Sequence, residues 1–325
     1  LYLLATWLCS TPFDLYKFGL KAANATYILI FIVLTHFLRT RFPVGFDRFL
    51  MFSVLFAAVA AIVSIVVFYT TYPHLTARVR GLGSLTNVNE FANVYGVYAL
   101  LAMSFSLAAT SIGKRALYLF PVIAIIVFTW FGQSRMALAS LFVALLFLGI
   151  ESGRQVKIRY IVLVVFSVAG VLLLAFPELV EHALARGDQH RLEIWRTFLQ
   201  DVAEAPIFGQ GLITEVEYII ATDNFHSPHN AYIQALWHGG VIGLGLLLLL
   251  MASACWQAWR LGKESGDYVV LSILLFATGV MLAAVDVLIS RPRDQWMLFW
   301  FPLALLISYQ TTGKKVPREA GGTTV

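Results

Sequence analysis

Apolar residues run almost unbroken through ten stretches of this chain, at about 1–12, 22–38, 49–70, 89–110, 115–131, 136–150, 159–176, 231–253, 268–289 and 295–310. Within each stretch the apolar positions are continuous rather than alternating, which predicts helices and not the strands of a barrel. Lipid permits only these two solutions, because backbone N–H and C=O groups there must pair within the segment or around a closed sheet. The predicted fold is all-α: a polytopic transmembrane helix bundle forming a single transmembrane domain over 1–325. The first stretch starts at Leu1, already inside an apolar run, so further helices are expected ahead of it.

The connections divide into two alternating sets. One contains "RTRFPVGFDR", "SIGKR", "ESGRQVKIR", "WRLGKESGD" and the tail "GKKVPRE", all short and basic, as cytoplasmic loops are. The other contains "DLYKFGLK", 71–88, "FGQSR", 177–230 and "SRPRDQ", which places 71–88 and 177–230 on the outer face, the periplasm of a Gram-negative cell. That outer set nevertheless carries Arg78, Arg80, Arg135, Arg186, Arg191, Arg196, Arg291 and Arg293. Arginines with no topological purpose there point to anion binding, since the guanidinium fork matches phosphate oxygens.

The 177–230 segment is too long for a plain connector. Ile194, Phe198, Leu199 and Val202, flanked by Trp195, have the spacing of an amphipathic helix of roughly three turns. "APIFGQG" then ends it with Pro206, Gly209 and Gly211, and "ATDNFHSPHN" returns the chain to the bilayer. The segment reads as a loop insertion covering a site.

Composition narrows the class. With 13% charged residues and a mean hydropathy of +0.79 the chain is not an ordinary soluble domain, which carries about 25%. The net charge of +5 follows from membrane topology rather than nucleic-acid binding. No signal peptide is recognisable. Cys9 and Cys255 lie in or beside apolar spans and suggest neither a disulfide framework nor a metal site.

Four groups of polar residues stand out. His229 is preceded by His226 and followed by Asn230 and Gln234; a helix starting near 228 sets 229, 230, 233 and 234 on one face. Neutral amides around a histidine suit a general base, although a histidine at the end of a span often only anchors it. Arg135, beside Ser134, sits at a hairpin tip with almost no loop, where an arginine is either functional or snorkelling to headgroups. Arg191 has Glu193 or Asp188 as an alternative ion-pair partner. Asn87, Asn89, Glu90 and Asn93 give one span a polar start that implies a hydrated cavity; Arg78, Arg80 and Arg291, the last with Asp286 nearby, are weaker candidates.

These residues resemble the O-antigen ligases of the O-antigen ligase/polymerase family. "HNAYIQALWHGGVIG" fits H-[NSQ]-x9-G-x-x-[GTY], with His229, Asn230, Gly240 and Gly243 on its fixed positions. "RLEIWRTFLQDVAEAPIFGQG" is similar to the family's outer-loop pattern, "GQSRMAL" to its hairpin and "NVNEFANVYG" to its asparagine-rich helix start, so the likeness runs from about 75 to 310. It implies a membrane-embedded, GT-C-like lipid-donor glycosyltransferase of about twelve spans with no cofactor and no metal. The donor would be an undecaprenyl-diphosphate-linked glycan, the acceptor lipid A–core, and the site would face the periplasm from the inner membrane. Carried onto this sequence, Arg135 and Arg191 would bind the diphosphate and His229 would act as base in an inverting attack. Arg78, Arg80, Asn89, Asn93, Ser134, His226, Asn230, Gln234 and Arg291 are the expected substrate contacts.

Three alternatives share some of these features. A polymerase uses the same donor with a second lipid-linked glycan as acceptor. A protein O-oligosaccharyltransferase usually pairs His with Glu where this chain has Asn230 and Gln234. A transporter should carry midplane charges and inverted repeats, and neither is seen.

Overall fold

The computed structural model describes residues 2–10, 14–83, 87–152, 155–187, 190–215, 217–220, 223–285 and 288–312. Asp188, Asp286, the side chain of Cys9 and the basic tail 313–319 lie outside the described residues. Among the described residues twelve α-helices follow one another: α1 Tyr2–Ala5, α2 Leu15–Arg41, α3 Pro43–Thr71, α4 Val88–Ala108, α5 Ile112–Gly132, α6 Arg135–Glu151, α7 Gln155–Ala175, α8 Pro177–Ala185, α9 Arg191–Val202, α10 Ala231–Ser265, α11 Val269–Met281 and α12 Phe301–Thr312. A 3-10 turn, Thr6–Cys9, extends α1, and a π-helical turn, Trp296–Trp300, leads into α12. Strands β1 Tyr218–Ile220 and β2 Asp223–Phe225 pair antiparallel in the long loop.

Every predicted stretch is at least partly helical, but the lengths differ from expectation. Among the described residues five helices (α2, α3, α4, α5 and α10) are long and apolar enough to cross a membrane alone. Residues Val165–Ala175 and Pro177–Ala185, bent by 83°, make a sixth if taken as one broken span. The first stretch, 1–12, is no span here. It coils into α1 and the 3-10 turn so that Tyr2 reaches Gly239 in α10 and Ser10 reaches the loop that follows α9.

α4 is the hub. Phe91, Val97, Leu100 and Met103 are fully buried, packed by α3, α5, α6 and α11. α2 and α3 instead leave Leu29, Val33, Phe52 and Phe56 exposed, the pattern of helices whose outer face meets lipid. The two sets of connections fall at opposite ends of the bundle. At one end Gln133 bonds Thr76, Ser134 bonds Asn89 and Asn93 bonds Asp294. At the other, Ser104 bonds Asp267 and the Arg39 guanidinium lies 4.0 Å from the Tyr309 ring centre.

α10 is broken inside its apolar run. Gly240 adopts φ 60° and ψ −164°, a conformation essentially reserved for glycine. A break of this kind frees carbonyls and an N–H that water cannot satisfy in a buried place. Backbone from "PIFGQG" supplies the partners: Gln210 N–H donates to Trp237 O (2.8 Å), Gly211 N–H to His238 O (3.1 Å), and Val241 N–H donates to Pro206 O (2.9 Å). The Tyr2 hydroxyl donates to the remaining carbonyl, Gly239 O, at 2.9 Å. The approach is so close that a Cβ on Gly209 would stand 2.5 Å from the Gly239 and Gly240 nitrogens, and one on Gly240 would stand 2.1 Å from Ile207 O.

The interlock holds α9 and the hairpin against the start of α10. Ile194, Phe198, Ile220 and Trp237 form a small core of their own, edged by Trp195, Tyr218 and Phe225. The predicted amphipathic helix is thus real, twelve residues long, with Ile194 and Phe198 as its buried face. Gly240→Ala should cost about 2 kcal/mol or more, read as a fall in Tm of the purified protein. Gly245→Ala, five residues on with open space around its Cβ, should leave Tm unchanged or raise it.

Candidate active site

The turn before α10 sets the geometry of the site. Asn230 is the N-cap: its Oδ1 accepts from Tyr232 N–H (3.0 Å) and Ile233 N–H (3.1 Å). α10 therefore begins at Ala231, later than expected, and His229 lies outside it with a left-handed φ of 48°. Left-handed non-glycine residues concentrate at functional sites. The turn is held from the side by the Trp195 indole N–H, which donates to Pro228 O at 2.9 Å. Trp195 and Arg191 are one helical turn apart on α9, so the helix that anchors the His229 turn also carries Arg191.

His229 is exposed on one wall of a polar cleft lined also by Asn87, Asn89, Glu90, Arg293, Asp294 and Gln295. Glu90 is ion-paired with Arg293. Asp294 is buried and accepts from Asn93 Nδ2 at 2.7 Å. Asn89 Oδ1 accepts from the Ser134 hydroxyl at 3.0 Å, which ties this cleft to the hairpin bearing Arg135.

Beyond that hairpin lie the arginines. Arg135 donates to Ala183 O and Gly187 O, and Arg186 donates back to Gln133 O, so the α5–α6 hairpin and the turn after α8 clasp each other. Arg78 donates from Nε to Gly132 O at 3.1 Å. Burial, then the charges of Arg186, Arg135, Arg191 and Arg80, lower the Arg78 guanidinium to about 10. Burial and the charge of Arg135 lower Arg186 as well. Five guanidinium groups from four separate segments therefore share one electrostatic field, an arrangement that an anion stabilises.

Of the expected residues, the structure brings His229 and Asn89 to the cleft, puts Asn93 and Ser134 directly behind it, and gathers Arg78, Arg80, Arg135 and Arg191 in the cationic field. Asn230 and Gln234 are engaged in shaping α10: besides the cap, Gln234 is buried with Nε2 2.5 Å from His238 Nε2, while His238 Nδ1 lies 2.7 Å from Gly211 O. The carbonyl can only accept, so His238 Nδ1 carries the hydrogen and Nε2 receives the amide. His226 and Arg291 are exposed and not among the residues lining the cleft. Arg186, Arg293, Asp294 and Gln295 belong to the site but were not singled out as candidates; the first two were visible only as outer arginines. Among the described residues no three His, Cys, Asp or Glu side chains gather as a metal-binding group.

A family model described as O-antigen ligase matches residues 98–248, from α4 through the hairpin, α9 and the broken helix. The chain is also 25% identical over 311 residues to an O-antigen ligase of Pseudomonas aeruginosa, a match covering 94% of this chain and 74% of that protein. Over residues 98–248 the chain is similar to the O-antigen ligase family. Members are enzymes of the glycosyltransferase type with polysaccharide and lipid substrates, and the apolar helices are those of a multi-pass membrane protein. Within the stretch matched to the O-antigen ligase model lie Arg135, Arg191, His229 and the interlock glycines.

The lowered Arg78 value carries a sign. A base whose folded value lies below its ordinary one is penalised while protonated, so burial of Arg78 among the other arginines opposes folding in full below about pH 10, and the penalty lifts progressively above that value. At neutral pH a bound anion should lift it instead. Inorganic pyrophosphate should raise Tm by about 5 °C at a hundredfold excess over Kd, less at high salt, and Arg78→Gln should lose most of the effect. No rise in the wild type would contradict the anion-site assignment.

Proposed function

We propose that this enzyme transfers O-antigen glycan from undecaprenyl diphosphate to lipid A–core oligosaccharide on the periplasmic face of the inner membrane. The observation that carries this reading is the convergence of arginines from four segments at the end of the bundle that also holds His229. Arg135 and Arg191, joined by Arg78 and Arg80, hold the donor diphosphate, and their charge does what a divalent cation does in many sugar-nucleotide enzymes. His229 takes the proton of the acceptor hydroxyl; the oxygen attacks the anomeric carbon opposite the diphosphate. The carbon–oxygen bond to phosphate breaks, and undecaprenyl diphosphate leaves with the electron pair and the anomeric configuration inverted. A diphosphate is already a good leaving group, so positioning and charge stabilisation are the main demands on the protein.

The basic connections at the opposite end support the orientation, with Arg39, Arg41, Arg48, Lys114, Arg115, Arg260 and Lys263 on the cytoplasmic side. The same alternation of ends has α6, α7, α11 and α12 cross as well, giving a GT-C-like arrangement of nine spans among the described residues. Residues 177–230 then cover the site from the periplasm.

The test is reconstitution with a lipid-diphosphate glycan and either lipid A–core or a second donor molecule. Transfer to lipid A–core is expected, with His229→Ala and Arg191→Ala each losing activity by about a hundredfold or more while staying folded. Near wild-type rates in either variant would overturn that residue's role, and chain growth on the second donor would replace the ligase with a polymerase.

A further inference from the structure

We infer that the cleft beside His229 is the acceptor subsite, and that it takes an uncharged sugar residue by its hydroxyl groups while the diphosphate is confined to the arginines. The inference rests on the glycosyl-transfer reading above and assigns parts to it.

The two halves of the site carry opposite charge. Arg78, Arg80, Arg135, Arg186 and Arg191 share a field with no carboxylate among the groups that perturb Arg78. The cleft has two carboxylates, Glu90 and Asp294, against a single guanidinium, Arg293, and that one is already paired with Glu90. A diphosphate is drawn to the first region and repelled from the second. A neutral polyol has the opposite preference, since it gains little from a cluster of positive charge and much from fixed carboxylates and amides that accept from and donate to vicinal hydroxyls.

The polar groups of the cleft are also held in place before a ligand arrives. Asn93, fully buried, fixes Asp294, and its own Oδ1 accepts no hydrogen bond within the protein, so a buried acceptor stands behind the cleft wall. Arg293 fixes Glu90, and Ser134 fixes Asn89. Orientation of this kind removes part of the ordering cost of binding. His229 lines the same cleft, so a hydroxyl bound there is presented to the proposed base, and the Asn89–Ser134 bond marks the seam at which acceptor oxygen and anomeric carbon meet. The reacting acceptor sugar is therefore one without phosphate or carboxylate, whatever charges lie elsewhere on the molecule.

The experiment uses the full chain in nanodiscs with an undecaprenyl-diphosphate-linked glycan as donor. The acceptor is whichever of lipid A–core and a second lipid-linked glycan the wild type glycosylates. Asp294→Asn, nearly isosteric and still able to bond Asn93, and Glu90→Gln should each raise the acceptor KM at least about tenfold and leave the donor KM within about twofold. Arg186→Gln should do the reverse. Inhibition by inorganic pyrophosphate should be unchanged in the two acidic-site variants and weakened in Arg186→Gln. An unchanged acceptor KM in both acidic-site variants, or a raised donor KM in either, overturns the subsite assignment while leaving the transfer reading intact. A wild type that glycosylates neither acceptor overturns the transfer reading and this assignment with it.

Discussion

A helix that breaks within a protein interior must find partners for the backbone groups it frees, and in this chain residues 206–211 provide them. Three carbonyls, of Trp237, His238 and Gly239, and the Val241 N–H are all satisfied from outside α10. The contact is backbone against backbone, which is why glycine stands on both sides of it, at Gly209 and at Gly240. Its consequence is positional. The loop that crosses the break is the continuation of α9, so α9, the β-hairpin and the first turns of α10 pack together around Phe198 and Trp237. The His229 turn is gripped by that unit through Trp195, and Arg191 is presented by the same helix.

The second constraint is electrostatic. Burial first, and then the gathering of guanidinium groups around it, disfavour the charged form of Arg78, and the fold offsets that cost by bonding several of the arginines to backbone carbonyls of the opposing turn. The clasp between the α5–α6 hairpin and the end of α8 thus keeps the cluster together and holds its geometry for a ligand. Electrostatic preorganisation of this sort lowers a barrier only if the donors are aimed before the charge develops. In the proposed reaction the acidic cleft next to it sets a boundary that sorts the charged and uncharged portions of donor and acceptor.

Much of this was legible in the sequence, because lipid imposes the same rule on every apolar run and because loop charge sorts the ends. Continuous apolarity located the long helices of the bundle, and the Ile194, Phe198 and Val202 spacing located α9, while α8 inside the loop was not anticipated. Length was less legible: an apolar run does not say where a helix stops, so 1–12 coils back on the loop and α11 ends at Met281 well short of 289. Asn230 and Gln234 read as substrate ligands because an amide near a histidine looks the same whether it faces a ligand or a backbone N–H; only the cap and the contact to His238 distinguish them. Asp294 and Glu90 were obscured by the arginines around them. Their meaning depends on α4 packing beside the approach to α12, a juxtaposition of residues about 200 positions apart that no local pattern encodes.

The whole account requires the imidazole and the guanidinium groups to serve one substrate complex at one end of the bundle. A cryo-electron microscopy map of the full chain in nanodiscs saturated with undecaprenyl diphosphate tests this most directly. The account predicts diphosphate density among Arg78, Arg135, Arg186 and Arg191, with the polyprenyl tail leaving between helices and His229 facing the vacant anomeric position. Headgroup density at the opposite end of the bundle, near Arg39 and Arg115, would contradict it.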